Sequence, residues 1–365
     1  NSSQSEKSQP AEQTTVQPTT MSAEEINDRK LDKFISDMTL EEKVGQMFFV
    51  RCPDEGAVQQ VSEYNIGGYI LFGRDFDGKT KDEVLDDIHS YQNEADIPLL
   101  IGVDEEGGTV VRVSSNPNLR ETPFLSPKDT YADGGWDAVK QDAEEKADLL
   151  LSLGINVNLA PVCDMTSDEY GFMYDRSFSS DVDMENRYVR TVVETSKSKK
   201  LGTVLKHFPG YGNNSDTHTG IAYDDRDYSE FENTDFKPFY QGIESGADCI
   251  LVSHNIVNCM DSEYPASLSQ KVHDILRNEF KFDGVIMTDD LIMDAITDFT
   301  GDEAAAVTAA KCGNDLLCCS SVDTQYPAVL EAVQNGEIPE TQVDASVKRI
   351  LKWKQNLGIF NIDTY

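Results

Sequence analysis

Basic residues are scarce in this sequence. Lysine and arginine number 31 against 66 aspartates and glutamates, a formal net charge of −35. So acidic a surface repels phosphate backbones and anionic headgroups, which sets aside nucleic acid as a partner. No apolar run approaches the ~20 residues that span a bilayer, so no integral membrane segment is expected. The cysteines are Cys52, Cys163, Cys249, Cys259, Cys312, Cys318 and Cys319, an odd number without a CxxC pair. That argues against a disulfide framework and a zinc ribbon, and most of them sit in apolar runs suited to small buried thiols. No HxH or HExxH occurs, no GxGxxG follows the first strand-like run, and there is no internal repeat or linker.

What is present is one large domain's worth of chain. Of 365 residues, 39% are hydrophobic, enough for a sizeable core. The first twenty, rich in Ser, Gln, Thr and Pro, cannot bury enough surface to order themselves. We read 1–26 as a flexible polar tail and 27–365 as the ordered domain. The chain starts at Asn1, and a stalk behind a removed leader or lipid anchor fits this composition. That reading places the protein outside the cell or at its surface, with a plain tail on a cytoplasmic protein as the alternative.

Beyond the tail, short apolar runs alternate with helix-like stretches. Thr39 with Glu41 and Glu42 marks a helix start. The runs cover 47–50, 68–72, 98–103, 155–162, 202–205, 249–253, 284–288 and 315–319. All eight are rich in Val, Ile, Leu or Phe, as strands buried on both faces should be. Helical periodicity marks 141–153, 236–245, 270–280 and 303–311, with a closing helix over 344–357. Gly154, Gly246 and Gly313 sit where helices end. Eight strand-then-helix units predict an α/β fold, a single (β/α)8 barrel.

Barrel active sites lie at the C-terminal ends of the strands. Asp104-Glu105-Glu106 follows the third run, Asp164 the fourth, Lys206 and His207 the fifth, His254 the sixth and Asp289-Asp290 the seventh. A titratable residue at the same end of five strands outweighs the ordinary polarity of loop onsets. Of the five histidines, His218 lies in the loop after the fifth strand. His254 reads as core, and His89 and His273 as helix-surface residues.

Four segments then align with a known family. Lys206-His207-Phe208-Pro209-Gly210-Tyr211-Gly212, followed by Asp216-Thr217-His218, resembles the KHFPGHG…DSH signature of bacterial β-N-acetylglucosaminidases in glycoside hydrolase family 3. The stretch from Asp104 through Glu106-Gly107-Gly108 to Arg112 is similar to that family's D-x-EGG-R-V-x-R element. Asp175-Arg176-Ser177-Phe178 is similar to its RSF turn, and Thr288-Asp289-Asp290-Leu291 to its nucleophile strand. The resemblance spans about residues 40 to 358. It implies a retaining exo-β-N-acetylglucosaminidase with no metal; no cofactor is expected, and the chain is expected to be a monomer. The implied substrate is a β-GlcNAc-containing oligosaccharide or muropeptide from peptidoglycan. Carried over by position, Asp289 is the nucleophile, His218 the general acid/base and Asp216 its orienting partner. Asp104, Arg112, Arg176, Lys206 and His207 hold the sugar. Tyr211, Thr109 and Thr217 depart from the pattern, and Thr109 puts the peptidoglycan assignment most at issue.

These residue types suit the chemistry. Retaining hydrolysis needs a carboxylate to attack and an acid to protonate the leaving oxygen. Histidine, with a pKa of about 6.5, can alternate between acid and base near neutral pH. Asp216 on an extended loop can fix its tautomer, as the carboxylate does in a Ser-His-Asp triad. Lys206 and Arg176, if they converge on Asp289, keep it ionised. Asp290 points to the other side of the strand in a structural role. Gly210 and Gly212 suggest a mobile loop that swings His218 in. A neutral histidine also lets an anion approach, so phosphate could replace water as acceptor. Rival readings are a metal hydrolase using His207, His218, His254, Asp216 and Asp289, a sugar-binding wall module without turnover, and another family 3 β-glycosidase or phosphorylase.

Overall fold

The computed structural model describes residues 21–214, 216, 220–300 and 302–365. Its strands are β1 (Phe48–Arg51), β2 (Gly68–Leu71), β3 (Leu100–Val103), β4 (Val157–Asn158), β5 (Gly202–Phe208), β6 (Tyr223–Asp224), β7 (Cys249–Val252), β8 (Ile256–Val257), β9 (Val285–Thr288) and β10 (Leu317–Cys319). Eight lie side by side in the order β10-β1-β2-β3-β4-β5-β7-β9, while β6 pairs with β8 apart from them. Every pairing is parallel. A further parallel bridge, Met287 to Leu316, joins β9 to the approach of β10 and closes the ring. Helices between successive strands cover the outside, so the chain is a (β/α)8 barrel. All eight predicted runs overlap an observed strand.

The pleat sorts the strand residues. Phe49, Ile70, Leu100, Val204, Leu251, Met287 and Cys318 share one cluster inside the barrel. Their neighbours Phe48, Val50, Leu71, Val103 and Leu317 pack against helices outside. Gly102 has no side chain because the lumen is already full there: a Cβ would lie 2.7 Å from the Phe49 ring and 3.0 Å from Leu159. Side chains alternate along a strand, so the next inward positions toward the C-terminal ends are Arg51, Phe72, Asp104, Lys206 and Asp289. They form the barrel mouth.

Local signals explain most of the boundaries. Thr39 caps its helix through Glu42 in a reciprocal capping box. Gly154 takes φ 80° and donates to Leu151 O, while Ile155 N–H reaches back to Leu150 O. This ends the helix Pro127–Ser152. Six of the seven cysteines are buried, and Cys259 is exposed.

Four expectations need correction. The boundary at 26/27 falls inside the helix Ala23–Asp37, which starts early because Ser22 and Glu25 form another capping box. The predicted tail over 1–20 lies outside the described residues. The fifth strand runs on to Phe208, with a register shift against β7 between Leu205 and Phe208, so Lys206 and His207 lie on it and not after it. The helix predicted over 270–280 is α-helical for Gln270–Asp274 and π-helical for Ile275–Glu279. His273, expected at the surface, is buried: Nδ1 meets Ser269 O at 2.7 Å, and the ring packs beside Cys312.

Opposite the mouth, a buried carboxylate ties down the last strand crossing. Asp315 is almost fully buried. It accepts hydrogen bonds from Ile286 N–H (2.9 Å), the Ser346 hydroxyl (2.8 Å), Arg349 (3.0 Å) and Arg277. Removing one partner of such a cluster strands the others' charge. Asp315→Ala is expected to cost about 3 kcal/mol in urea unfolding, whereas Asp37→Ala, at an exposed pair with Lys33, should change stability by less than about 0.5 kcal/mol.

Candidate active site

The mouth is organised by Glu106, a carboxylate with 3% of its surface exposed. Arg176 grips it with two bonds, Nε to Oε2 at 2.9 Å and Nη2 to Oε1 at 2.8 Å. Lys206 Nζ lies 2.6 Å from Oε1 and donates at 2.7 Å to Asp104 Oδ1. Burial alone would raise the Glu106 pKa, but the charges of Lys206 and Arg176 outweigh it and hold the carboxyl far below its usual range. Lys206 shows the converse. Burial pulls its pKa down, and Asp104 and Glu106 more than restore it.

A second carboxylate fixes the neighbouring imidazole. Asp164 Oδ2 accepts the His207 backbone N–H at 2.9 Å and contacts ring Nδ1 at 2.7 Å. Its Oδ1 takes the Tyr211 N–H at 2.8 Å. The other ring nitrogen, Nε2, lies 3.3 Å from Arg176 Nη2. With Nδ1 on a carboxylate and Nε2 facing a guanidinium, His207 is a poor metal ligand and a fixed wall of the mouth. Tyr211, in place of the family's histidine, packs its ring edge-on to His207 at 5.3 Å.

Arg112 is placed by a third acid. Glu105, fully buried, accepts the backbone N–H groups of Arg112 (2.8 Å), Val113 (2.7 Å) and Ser114 (3.2 Å). The turn before it demands glycine: Gly107 has φ 103°, and a Cβ there would sit 2.1 Å from Leu125 O. Thr109 is exposed at the tip of this turn. The Arg112 guanidinium stands 5.8 Å from the Phe72 ring centre, beside the mouth cluster rather than within it.

Asp289 ends β9. Its N–H donates to Val252 O at 3.1 Å, and its Oδ1 accepts the Asp290 N–H at 2.9 Å. Burial raises the Cys318 thiol pKa, and Asp290, Asp289 and Asp104 add to the rise. Met287 lies inside the barrel, so Asp289, two residues on, points the same way. Asp290 turns outward, accepting from Ser320 (2.7 Å) and the Ile292 N–H (3.1 Å). It shapes the turn before the helix Asp294–Thr300. His254 is fully buried, with Nδ1 on Ser267 and Nε2 on Asp290 O.

The structure thus gathers Asp104, Arg176, Lys206 and His207 into one network. Asp216 lies on the loop after β5, half-buried, and His218 lies outside the described residues. Two expectations change. Lys206 and Arg176 meet on Glu106, so that carboxylate neutralises much of their charge before it reaches Asp289. Gly210 and Gly212 do take positive φ, 120° and 55°, but both are buried against Asp235 and Arg226. Arg226 bridges Asp224, Asp235 and Gly210 O, so the base of the loop is clamped and any swing starts beyond Gly212. Sequence reading overlooked Glu106, Asp164 and Glu105 as site residues. The signal was there for all three, since Glu105, Glu106 and Asp164 stand in the strand-end series and Glu106 also begins the EGG element.

Comparison with known proteins identifies a family and relatives. A profile described as the glycosyl hydrolase family 3 N terminal domain matches residues 39–353. A β-hexosaminidase of Hydrogenovibrio crunogenus is 33% identical over 274 residues, 73% of this chain and 75% of that protein. The β-hexosaminidase LpqI of Mycobacterium tuberculosis is 31% identical over 331 residues, 86% of this chain and 82% of that one. A solved family 3 β-N-acetylglucosaminidase from a Paenibacillus species superposes with a TM-score of 0.83 at 29% identity. That match covers 88% of this chain, which spans 63% of the longer Paenibacillus protein.

The depressed Glu106 pKa carries a pH signature. A carboxylate whose folded pKa lies below its unfolded value stabilises the fold above the unfolded pKa. The contribution fades as pH falls from about 4.3 toward the folded value. Glu106→Gln is expected to melt at lower temperature than wild type at pH 7. The gap should narrow as the pH of the melts is lowered from 5 to 3. A gap that stays constant would show that Glu106 is not held ionised.

Proposed function

Since the chain belongs to glycosyl hydrolase family 3 and is a glycoside hydrolase, we propose that it is a retaining exo-β-N-acetylglucosaminidase that removes terminal β-GlcNAc from peptidoglycan fragments. The observation that carries this reading is the convergence at the barrel mouth. The inward Asp289 at the end of β9 faces the same lumen as a charged network suited to sugar hydroxyls. Lys206 and Arg176 offer donors there, and Asp104 offers acceptors.

In the proposed reaction the Asp289 carboxylate attacks the anomeric carbon while His218, as imidazolium, protonates the departing glycosidic oxygen. The neutral imidazole then takes a proton from water as the water oxygen displaces Asp289 with a second inversion. Asp216, two residues before, orients the ring and stabilises its charged form. Being neutral at the second step, the ring also admits phosphate, which would give the glycosyl phosphate in place of free sugar. A position on the outside of the cell rests on residues 1–20, outside the described residues. Among the described residues no helix is long and apolar enough to cross a membrane.

Two variants and one spectrum test the proposal. Asp289→Ala should lower kcat on every β-GlcNAc substrate by about 10³-fold or more. His218→Ala should impair a natural disaccharide far more than an aryl glycoside, whose good leaving group needs little protonation. Equal losses on both would remove His218 from the acid role. Proton NMR of fresh product should show the β-anomer first, and an α-anomer would exclude the retaining mechanism.

A further inference from the structure

The loop that the proposed reaction draws on has both of its ends tied to one side chain. It leaves the barrel past Gly210 and returns through β6. Arg226 Nη2 donates to Gly210 O at 3.1 Å and to Asp224 Oδ2 at 2.7 Å, so one guanidinium bridges the outgoing and the returning chain. Its Nη1 reaches Asp235 Oδ2 at 2.9 Å. Asp235 stands directly before the helix Phe236–Glu244, so both ends are tied to that helix as well. Asp224 and Asp235 are buried, with 5% and 3% of their surfaces exposed, and a cation between them makes charge-assisted bonds to both. The guanidinium also packs on the Phe231 ring, 4.2 Å from its centre, and against the bare backbone of Gly212, where a Cβ would lie 2.8 Å from its carbon. Further contacts hold each end by itself. Tyr211 N–H is bonded to Asp164 Oδ1 at 2.8 Å, and Asn258 N–H to Asp224 O at 2.9 Å. Arg226 joins the two.

We propose that Arg226 is a positioning residue for the acid/base step: by fixing Gly210 against Asp224 it sets where the loop presents Asp216 and His218 to the leaving oxygen. The inference rests on the glycosidase reading and adds to it a residue that acts through the loop. The physical argument is one of tolerance. A general acid works only within hydrogen-bond reach of the oxygen it protonates, and a misplacement of about 1 Å can cost on the order of 10² in rate. Closing the ends of a segment removes arrangements that it would otherwise sample. Arg226 closes them with a planar fork whose donors point in fixed directions at Gly210 O, Asp224 and Asp235. A lysine in its place would keep the charge between the two acids but lose the fork, and with it the fixed directions.

Leaving-group dependence tests this, because an acid matters most where the departing oxygen is basic. The quantity read is kcat/KM, which reports formation of the glycosyl-enzyme, on dinitrophenyl, nitrophenyl and phenyl β-GlcNAc. Arg226→Lys and Arg226→Gln should lose about tenfold or more on the phenyl glycoside and less than about threefold on the dinitrophenyl one. The lysine variant keeps a cation between the buried acids and so guards against misfolding of the glutamine variant. Asp315→Ala, which loosens the opposite end of the barrel, should leave the ratio of phenyl to dinitrophenyl rates at the wild-type value, which separates misplacement from general loss of stability. Equal losses on all three glycosides in Arg226→Lys, or no loss on any, would overturn the inference. Hydrogen exchange reads the clamp without turnover. The Tyr211 and Asn258 amides, bonded at the two loop ends, should exchange about tenfold faster in Arg226→Lys than in wild type, and unchanged exchange would overturn the clamp whatever the enzyme cleaves. A wild type that hydrolyses none of the three glycosides, while the amides still loosen in the variant, would bring down the glycosidase reading and the acid/base role together and leave the clamp standing.

Discussion

A buried anion bonded to two cations, Glu106 between Lys206 and Arg176, holds the mouth of this barrel together. None of the three tolerates burial alone, since an isolated ion in a low-dielectric interior costs many kcal/mol. Together they join the loop after β3, the turn carrying Arg176 and the far end of β5. The consequence is directional. Lys206 cannot rotate away from Asp104, and Arg176 is set against His207, so donors and acceptors are fixed before any sugar arrives. Such preorganisation is what positions a substrate for attack.

Around that anchor each acid has a separate task. Asp164 holds His207 by both backbone and ring, and Glu105 folds the turn that presents Arg112. These carboxylates position other groups, whereas Asp104 and Asp289 are the inward acids that the proposed reaction uses. The loop that carries Asp216 and His218 leaves a clamped base, where Arg226 bridges Asp224 and Asp235 under Gly210. A rigid cup of this kind suits the proposed reaction, which needs the sugar held still.

Much of the fold was legible in the sequence because parallel strands buried on both faces leave continuous apolar runs. Pleat phase was legible too, since Asp289 and Asp290 must point to opposite faces and the structure turns Asp290 outward to Ser320. Other features left no local trace. The register shift in β5 places Lys206 and His207 on the strand, and no residue pattern announces it. His273 reads as surface because its helix shows polar spacing, yet the Cys312 segment covers it. Arg51 looks like any strand-end arginine until the closed ring turns it inward. The early start at Ser22 was readable, as a Ser-x-x-Glu box, but the polar tail beside it hid the signal.

The proposed reaction turns on Asp289 becoming covalently attached to the sugar. A fluorinated β-GlcNAc with a good leaving group forms a glycosyl-enzyme that turns over slowly, so intact-protein mass spectrometry followed by peptide mapping reads the claim directly. The account predicts one added sugar per chain, on the peptide that contains Asp289. An adduct on another residue, or prompt turnover of the neutral substrate through a product of inverted configuration with no adduct formed, would contradict it.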